Sequence, residues 1–366
     1  MTTTISPLGL HDLRELVRPT TPVASVYWGP HSDPADDGDL EFLLRRRAIA
    51  RQLGDQGADN ATVDAVGGHL ARMPEYAGGC AVFARGADIL LSQAMPDTSV
   101  PDLAAYGVPP RVVPLLAWLH RHPAHVQVVA DRAGAELVAY PAGSMVGLPR
   151  TVTGPDDDIR RRFPGGGQQP RLQRRAEDSW RHNALAIASA CQEELARVHA
   201  ELLLISGDPR IVQLVSDRLR SGGRPPALRY LPGGGSGDTS AVTEALTAYA
   251  AARSAALVEH VVDHGGPCGD AVRGAIRTAA ALAEGRLGTL LVVDHSGDSR
   301  LGWFSPELLC AVDKPAPPLL EGHPKAGRLV DVAVRAALLS RAEIRVLTPA
   351  QGSRLQDGIG GLVRHV

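Results

Sequence analysis

Residues 163–172 read FPGGGQQPRL, with three glycines running straight into Gln168. Glycine takes positive φ without strain and lets backbone amides approach a ligand that a β-carbon would hold away. A backbone N–H presented at Gln168 can stabilise charge developing on an oxyanion or a leaving oxygen, while its carboxamide positions or selects a water. Gly166, Gly167 and Gln168 are therefore the candidate catalytic residues. Arginines crowd both flanks, with Arg160, Arg161 and Arg162 before and Arg171, Arg174, Arg175 and Arg181 after. Guanidinium groups pair with phosphates and stack on splayed bases, which is how RNA is often held. Composition alone leaves two readings open, a solvated surface segment or a backbone-built tip that meets RNA.

Other constellations carry less. The stretch LPGGGSGDTS (231–240) is placed like a phosphate loop between strand and helix but lacks the GK[ST] ending, and the only lysines are Lys314 and Lys325. It reads as a connector. HRHPAH offers His120, His122 and His125 near a helix end without a fourth ligand, so capping or surface histidines are expected rather than a metal site. Asp294, His295 and Ser296 adjoin in VVDHSGDS with no G-x-S-x-G elbow, which makes a strand-end loop of them. Asp156, Asp157 and Asp158 read as a solvated loop face. No metal and no cofactor is expected.

The elements that must position the tip follow from pattern. At 366 residues the chain is long enough for two or three domains. A formal net charge of −2 identifies no nucleic-acid binder globally, so any RNA surface is local, and no DNA partner is expected. Cys80, Cys191, Cys268 and Cys310 lie far apart with no CxxC, which argues against a zinc knuckle or a disulfide framework and fits a reducing cytoplasm. The first residues, MTTTISPLGLHDL, carry no basic n-region or apolar h-region, and no run of about 18 apolar residues occurs. A cytoplasmic protein without a membrane partner is expected.

Residues 1–124 read as an α+β domain. It has a strand in TPVASVYWGP, a helix in LEFLLRRRAIARQL, a hairpin turning at Arg85-Gly86, and a helix stopped by Pro123. Residues 125–265 form a second unit: two strands in VQVVADRAGAELVAY, the glycine loop, and a helix from about Arg171 to Glu201. A buried strand follows, then a helix capped by Asp208 with Pro209 at its first position, a short strand and an alanine-rich helix. The composition breaks at DHGGPCGD, a plausible hinge. Residues 266–366 twice repeat helix then strand and close on DGIGGLVRHV, which predicts an α/β sandwich.

Three features in this order resemble the archaeo-eukaryotic release factor 1 and Pelota superfamily, and within it the bacterial branch of Balon-like ribosome hibernation and rescue factors. Gly166-Gly167-Gln168 is similar to the family's GGQ tip, and Arg181-His182-Asn183 follows on the next helix at the family's spacing. GAIRTAAALAEGRLGTLLVVD resembles the family's C-terminal-domain helix and strand, and DGIGGLVRH its terminal glycine-rich segment with an arginine. The resemblance spans nearly the whole chain. It implies three domains in the release factor 1/Pelota arrangement: an N-terminal domain facing the decoding centre, a middle domain bringing the tip to the tRNA acceptor end, and an α/β C-terminal domain from about residue 266. That last domain would contact the ribosome or a translational GTPase of the elongation-factor type.

Two activities are implied, hydrolysis of peptidyl-tRNA in the A site of stalled ribosomes, or non-catalytic occupation of idle ones. A structured-RNA nuclease using the histidines is a third reading, and would act on naked RNA. Two departures bear on the choice. The stop-codon-reading NIKS loop is absent from LEFLLRRRAIARQLGDQG, so codon-specific termination is not expected. QPRLQ, with Pro170, replaces the family's small and apolar run after the tip.

Overall fold

In a computed structural model the described residues are 10–29, 38–72, 78–96, 102–153, 169–223, 225–232, 239–266, 269–295, 298–305, 309–312 and 324–364. Strand β1 (Val23–Trp28) is buried along its whole length. Side chains of a strand alternate between faces, so such a strand must have a core on either side. Ala24, Val26 and Trp28 meet Ile49 and Leu53 of α2 (Gly38–Asp55) and Val66 and Leu70 of α3 (Asn60–Ala71). On the other face Val23 and Tyr27 join Leu13 and Val17 of α1 (Leu10–Val17) and Val113 and Leu116 of α4 (Val113–Arg121). With β2 (Gly79–Arg85), β3 (Asp88–Met95) and β4 (Leu103–Gly107) it makes an antiparallel sheet of order β3-β2-β1-β4.

The next sheet repeats the device. Its order is β7-β6-β5-β8-β9, from β5 (His125–Ala130), β6 (Gly134–Tyr140), β7 (Leu148–Thr153), β8 (Leu202–Gly207) and β9 (Ala227–Tyr230). Leu203 and Ile205 of β8 pack with Ala184, Ile187 and Cys191 of α5 (Gln169–Arg197) and with Ile211 and Val215 of α6 (Pro209–Arg220). Leu202 and Leu204 face the other way, onto Leu246 of α7 (Thr239–His264). Asp208 caps α6 as expected, accepting from the N–H groups of Arg210 and Ile211, with Pro209 in the first turn.

The C-terminal sheet, β10-β15-β11-β14, comprises β10 (Ala271–Arg273), β11 (Leu287–Val293), β14 (Glu343–Leu347) and β15 (Ile359–Val363). Leu290 and Val292 share a core with α8 (Ala275–Ala283) and α9 (Leu329–Leu339), whereas Leu291 and Val293 meet Val258 and Val261 of α7. This is the three-layer α/β sandwich read from the sequence. The hairpin of β12 (Leu301–Phe304) and β13 (Lys325–Arg328) lies outside that sheet. The two C-terminal motifs of the sequence meet physically. The Asp357 carboxylate accepts from the Ala275 N–H at 3.1 Å and so caps α8, whose own N-cap, Gly274 (φ +81°), has no side chain to do it. A Cβ on Gly361 would lie 2.2 Å from the Thr289 carbonyl oxygen, so β15 pairs with β11 only with glycine there.

The chain is mixed α/β and multi-domain. By compactness, residues 121–251 form one unit, and residues 8–120 with 252–366 another. Within the latter, Leu13, Tyr27 and Trp118 belong to the same hydrophobic core as Leu290, Val330 and Leu338. Polar ties reinforce it. The Arg335 side chain of α9, 3% exposed, lies over the Phe304 ring at 4.6 Å and donates to the carbonyls of Val17 (3.0 Å) and Arg18 (3.2 Å), which end α1. Reciprocally, Arg14 of α1 donates to the Leu338 carbonyl at the end of α9 (3.0 Å). His120 Nδ1 accepts the N–H of Val346 in β14 at 3.2 Å. Burial, with Arg345 and Arg253 adding to it, pushes the pKa of His120 down to about 3.

Two outcomes are expected. Arg335→Met leaves the Val17 and Arg18 carbonyls unpaired and should cost about 1–3 kcal/mol in chemical denaturation; an unchanged midpoint contradicts this capping. Because His120 is held neutral, its contribution is complete above the unfolded value near 6.5 and is lost as pH falls from there through about 3. His120→Asn, whose Oδ1 can replace Nδ1 as acceptor, should flatten the fall in stability across that window; an unaltered slope contradicts it.

Candidate functional site

In sequence the glycine segment lies between β7 and α5, so the site is built from what anchors those two elements. Strands β5 and β8 run parallel, with His125 beside Leu202 and Ala130 beside Gly207. β7 returns antiparallel to β6 and ends with Thr153 beside Gly134. Thr153 therefore leaves the sheet at the end that carries the β5–β6 turn, Asp131–Ala133. Helix α5 arrives at the same end. Its Asn183, 2% exposed, donates from Nδ2 to the Arg132 carbonyl in that turn at 2.7 Å. From there a buried stripe of Ala184, Ile187, Cys191, Leu195 and Val198 follows the sheet at helical spacing.

The helix is also fastened lower down. Arg150 of β7 bridges Glu193 at 2.8 Å and Glu194 at 3.2 Å, and Glu194 is held again by Arg197. Burial pushes the Cys191 thiol up to about 12, so it acts as an inert apolar group in this seam. Beside Asn183, Trp180 packs against the core and the Arg210 guanidinium of α6 lies over its ring at 4.2 Å. Residues 169–182 thus run on ahead of the Asn183 anchor by about 20 Å, at ~1.5 Å per residue. Gln168 immediately precedes this helix in sequence.

Gly166, Gly167, Gln168, Arg160, Arg161, Arg162 and the Asp156–Asp158 triplet lie outside the described residues, as do the side chains of Arg171, Arg174 and Arg175 on α5. Arg181 is exposed. With His182, Leu185, Leu214, Asp217 and Arg218 it lines a groove of about 590 Å³ between α5 and α6. Sequence reasoning missed Trp180, Arg210, Arg218 and Arg150. Only the apolar stripe of α6 (Ile211, Val212, Val215, Leu219) hints that this helix packs beside α5.

The histidines do not assemble. His120 is the core acceptor already described. His125 is buried, bonds the Pro123 carbonyl through Nδ1 at 2.9 Å and stacks on Tyr140 at 4.8 Å. The His122 carbonyl accepts from the Gly143 N–H. Of the three residues on which the nuclease reading rests, His120 is half-buried and accepts a backbone N–H, and His125 is buried against a backbone carbonyl. Asp294 pairs with Arg328 at 2.9 Å, which leaves it no triad role; Ser296 and residues 233–238 of the glycine connector lie outside the described residues. The stretch LEFLLRRRAIARQLGDQG lies in helix α2 and the turn that follows it. Its Arg45 lies over Trp28 at 4.1 Å, and Arg46 donates to the Gly67 carbonyl.

The family model for bacterial archaeo-eukaryotic release factor family 2 matches residues 124–267, the stretch from β5 through α7 that carries the glycine tip. In this segment the chain is similar to the bacterial archaeo-eukaryotic release factors. Curated proteins include no match to the chain. Among solved structures the chain is similar to an archaeal translation termination factor, aRF1, at 14% identity over 98% of this chain and 99% of that one, with a TM-score of 0.24. Archaeal Pelota, from a model of ribosome-bound Pelota and ABCE1, shares 14% identity over 97% and 93% (TM-score 0.40). Saccharomyces cerevisiae Dom34, a translation termination-like factor that interacts with Hbs1, shares 10% over 98% and 92% (TM-score 0.40). Among the described residues, no helix is long and apolar enough to cross a membrane.

Asn183→Leu tests the anchor. It keeps the side chain's approximate bulk but removes the donor to the Arg132 carbonyl, at a local cost of about 0.5–1.5 kcal/mol. Amide exchange of α5 around residues 180–187 should accelerate while β8 is unaffected; unchanged exchange there would contradict the anchoring role.

Proposed function

We propose that this protein is a ribosome-associated, release-factor-like factor that enters the A site of stalled or idle ribosomes and hydrolyses peptidyl-tRNA without reading a codon. The observation that carries the reading is the position of Gly166-Gly167-Gln168. In sequence the triplet directly precedes the first turn of α5, whose residues ahead of the buried Asn183 span about 20 Å, inside the segment matched by the release-factor family model. A backbone-built tip needs such a spacer to reach a carbonyl buried within a much larger particle.

In this scheme water attacks the ester carbonyl between the peptide and the ribose of the tRNA. The Gln168 N–H donates to the oxygen on which charge develops, the carboxamide orients the water, and the ribose oxygen leaves with a proton. Ribosomal RNA and tRNA supply the remaining groups, so no side-chain base or cofactor is required. Arg160, Arg161, Arg162, Arg171, Arg174, Arg175 and Arg181 hold phosphates of the acceptor stem or ribosomal RNA. In the same reading residues 1–124 face the decoding centre, residues 125–265 carry the tip, and residues from about 266 contact the ribosome or an elongation-factor-type GTPase in the cytoplasm.

A second reading, occupation of the A site without hydrolysis, is favoured by Pro170, which sits in the first turn of α5. Proline fixes φ only two residues after Gln168 and removes one of the free N–H groups there. The absence of a codon-reading loop fits either reading.

Peptide release from purified ribosomes with P-site peptidyl-tRNA and an empty A site separates them. The natural chain should release peptide, and Gly167→Ala should lose at least a hundredfold in rate, about 2.7 kcal/mol, while still sedimenting with ribosomes. No release from bound natural protein would contradict hydrolysis and leave occupation.

A further inference from the structure

At the C-terminal end of α7, His260 and His264 stand one helical turn apart with their rings stacked at 4.3 Å. The chain then turns back and places Asp270, the residue before β10, against them: His260 Nε2 lies 3.0 Å from Asp270 Oδ2. The return is tight. The Gly266 N–H bonds the His264 carbonyl at 2.9 Å, and a Cβ on Gly269 would fall 1.9 Å from that same carbonyl oxygen, so only glycine lets Asp270 come this close. Asp270 is fixed from the other side by the Val363 N–H, which donates to its carbonyl at 2.8 Å.

His264 Nδ1 lies 3.1 Å from the His260 carbonyl oxygen. A carbonyl can only accept, so Nδ1 carries the proton and the Nε2 lone pair of the neutral ring is the one left to bind. Metal-ligating histidines are commonly oriented this way, with the distal N–H given to a backbone carbonyl. One donor atom from each of His260, His264 and Asp270 falls within 4.8 Å of the others.

We propose that His260, His264 and Asp270 bind one divalent transition-metal ion of the zinc class. Two imidazoles and a carboxylate suit Zn²⁺, and disfavour Mg²⁺ and Ca²⁺, which take all-oxygen sites. Tetrahedral bonds of about 2.0–2.1 Å put neighbouring ligand atoms roughly 3.3 Å apart. The His260–Asp270 pair is within a few tenths of an ångström of that, and the exposed His264 ring closes the rest by side-chain rotation. Three protein ligands leave a fourth position for water. The bound ion would clamp the end of α7 to the start of β10, at the glycine-rich break in composition. The proposal stands independently of peptidyl-tRNA hydrolysis.

The competing account is a plain His–Asp hydrogen bond, which needs His260 and Asp270 but not His264. The full-length chain, stripped with chelator, is titrated with Zn²⁺ by calorimetry and with Co²⁺ by absorption. One ion per chain is expected, with tetrahedral Co²⁺ bands and a thermal midpoint that rises when Zn²⁺ is returned. His264→Ala, an exposed substitution whose metal-free melt should match the parent, should weaken binding at least tenfold, and His260→Ala likewise. No stoichiometric binding, or binding of undiminished affinity in His264→Ala or in the double histidine variant, overturns the site.

Discussion

A strand buried on both faces constrains everything around it. Leu202 to Ile205 of β8 are four consecutive buried residues that point alternately into two cores. Neither core can form unless a helix covers it, so α5 and α6 must lie on one face and α7 on the other. The parallel pairing of β5 with β8 imposes a crossover between them, and the descending part of that crossover is α5. Ahead of Asn183, α5 continues through Trp180, which packs on the same core, and begins at Gln169, the residue after the glycine segment in sequence.

Polar groups are placed where they join elements distant in sequence. Arg335 and Arg14 exchange helix-end contacts between α1 and α9, His120 ties α4 to β14, and Asp357 caps α8. Each serves a backbone group that burial would otherwise leave unpaired at a cost of about 1–3 kcal/mol. The same logic holds at the tip's base, where Asn183 answers the Arg132 carbonyl. Asn183 follows Arg181 and His182 in the run that resembles the family's next helix, and it is the buried residue of the three that fastens α5 to the β5–β6 turn.

The long elements were legible because their signals are strong and local. The alanine-rich α7, the periodic α5 and the apolar β8 and β11 need no partner to be recognised, and Asp208-Pro209 announces α6. The elements that escaped are those whose stability is borrowed. β7 reads LPRTVT, and Pro149 argues against a strand; it survives because it is an edge strand paired only with β6. β4, β12 and β13 are short and poor in β-branched residues, and exist because β1 or each other supplies the ladder. The core common to residues 8–120 and 252–366 was not legible, since nothing local marks Trp118 and Leu338 as neighbours. At the site, glycines and arginines could be read as chemistry, but Arg150, Trp180 and Arg210 could not, because their roles depend on which helix lies beside which strand. His120 and His125, close in sequence, are held in separate backbone contacts, one with Val346 and one with Pro123.

The central claim is that the segment ahead of α5 reaches the acceptor end of a ribosome-bound tRNA. Zero-distance crosslinking tests it most directly, with a photoreactive amino acid in place of Gln169, the first residue of the helix, on ribosomes carrying end-labelled peptidyl-tRNA. The account predicts a crosslink to the terminal nucleotides of the tRNA or to the ribosomal RNA around them. A chain that sediments with the ribosome but crosslinks only elsewhere would contradict it.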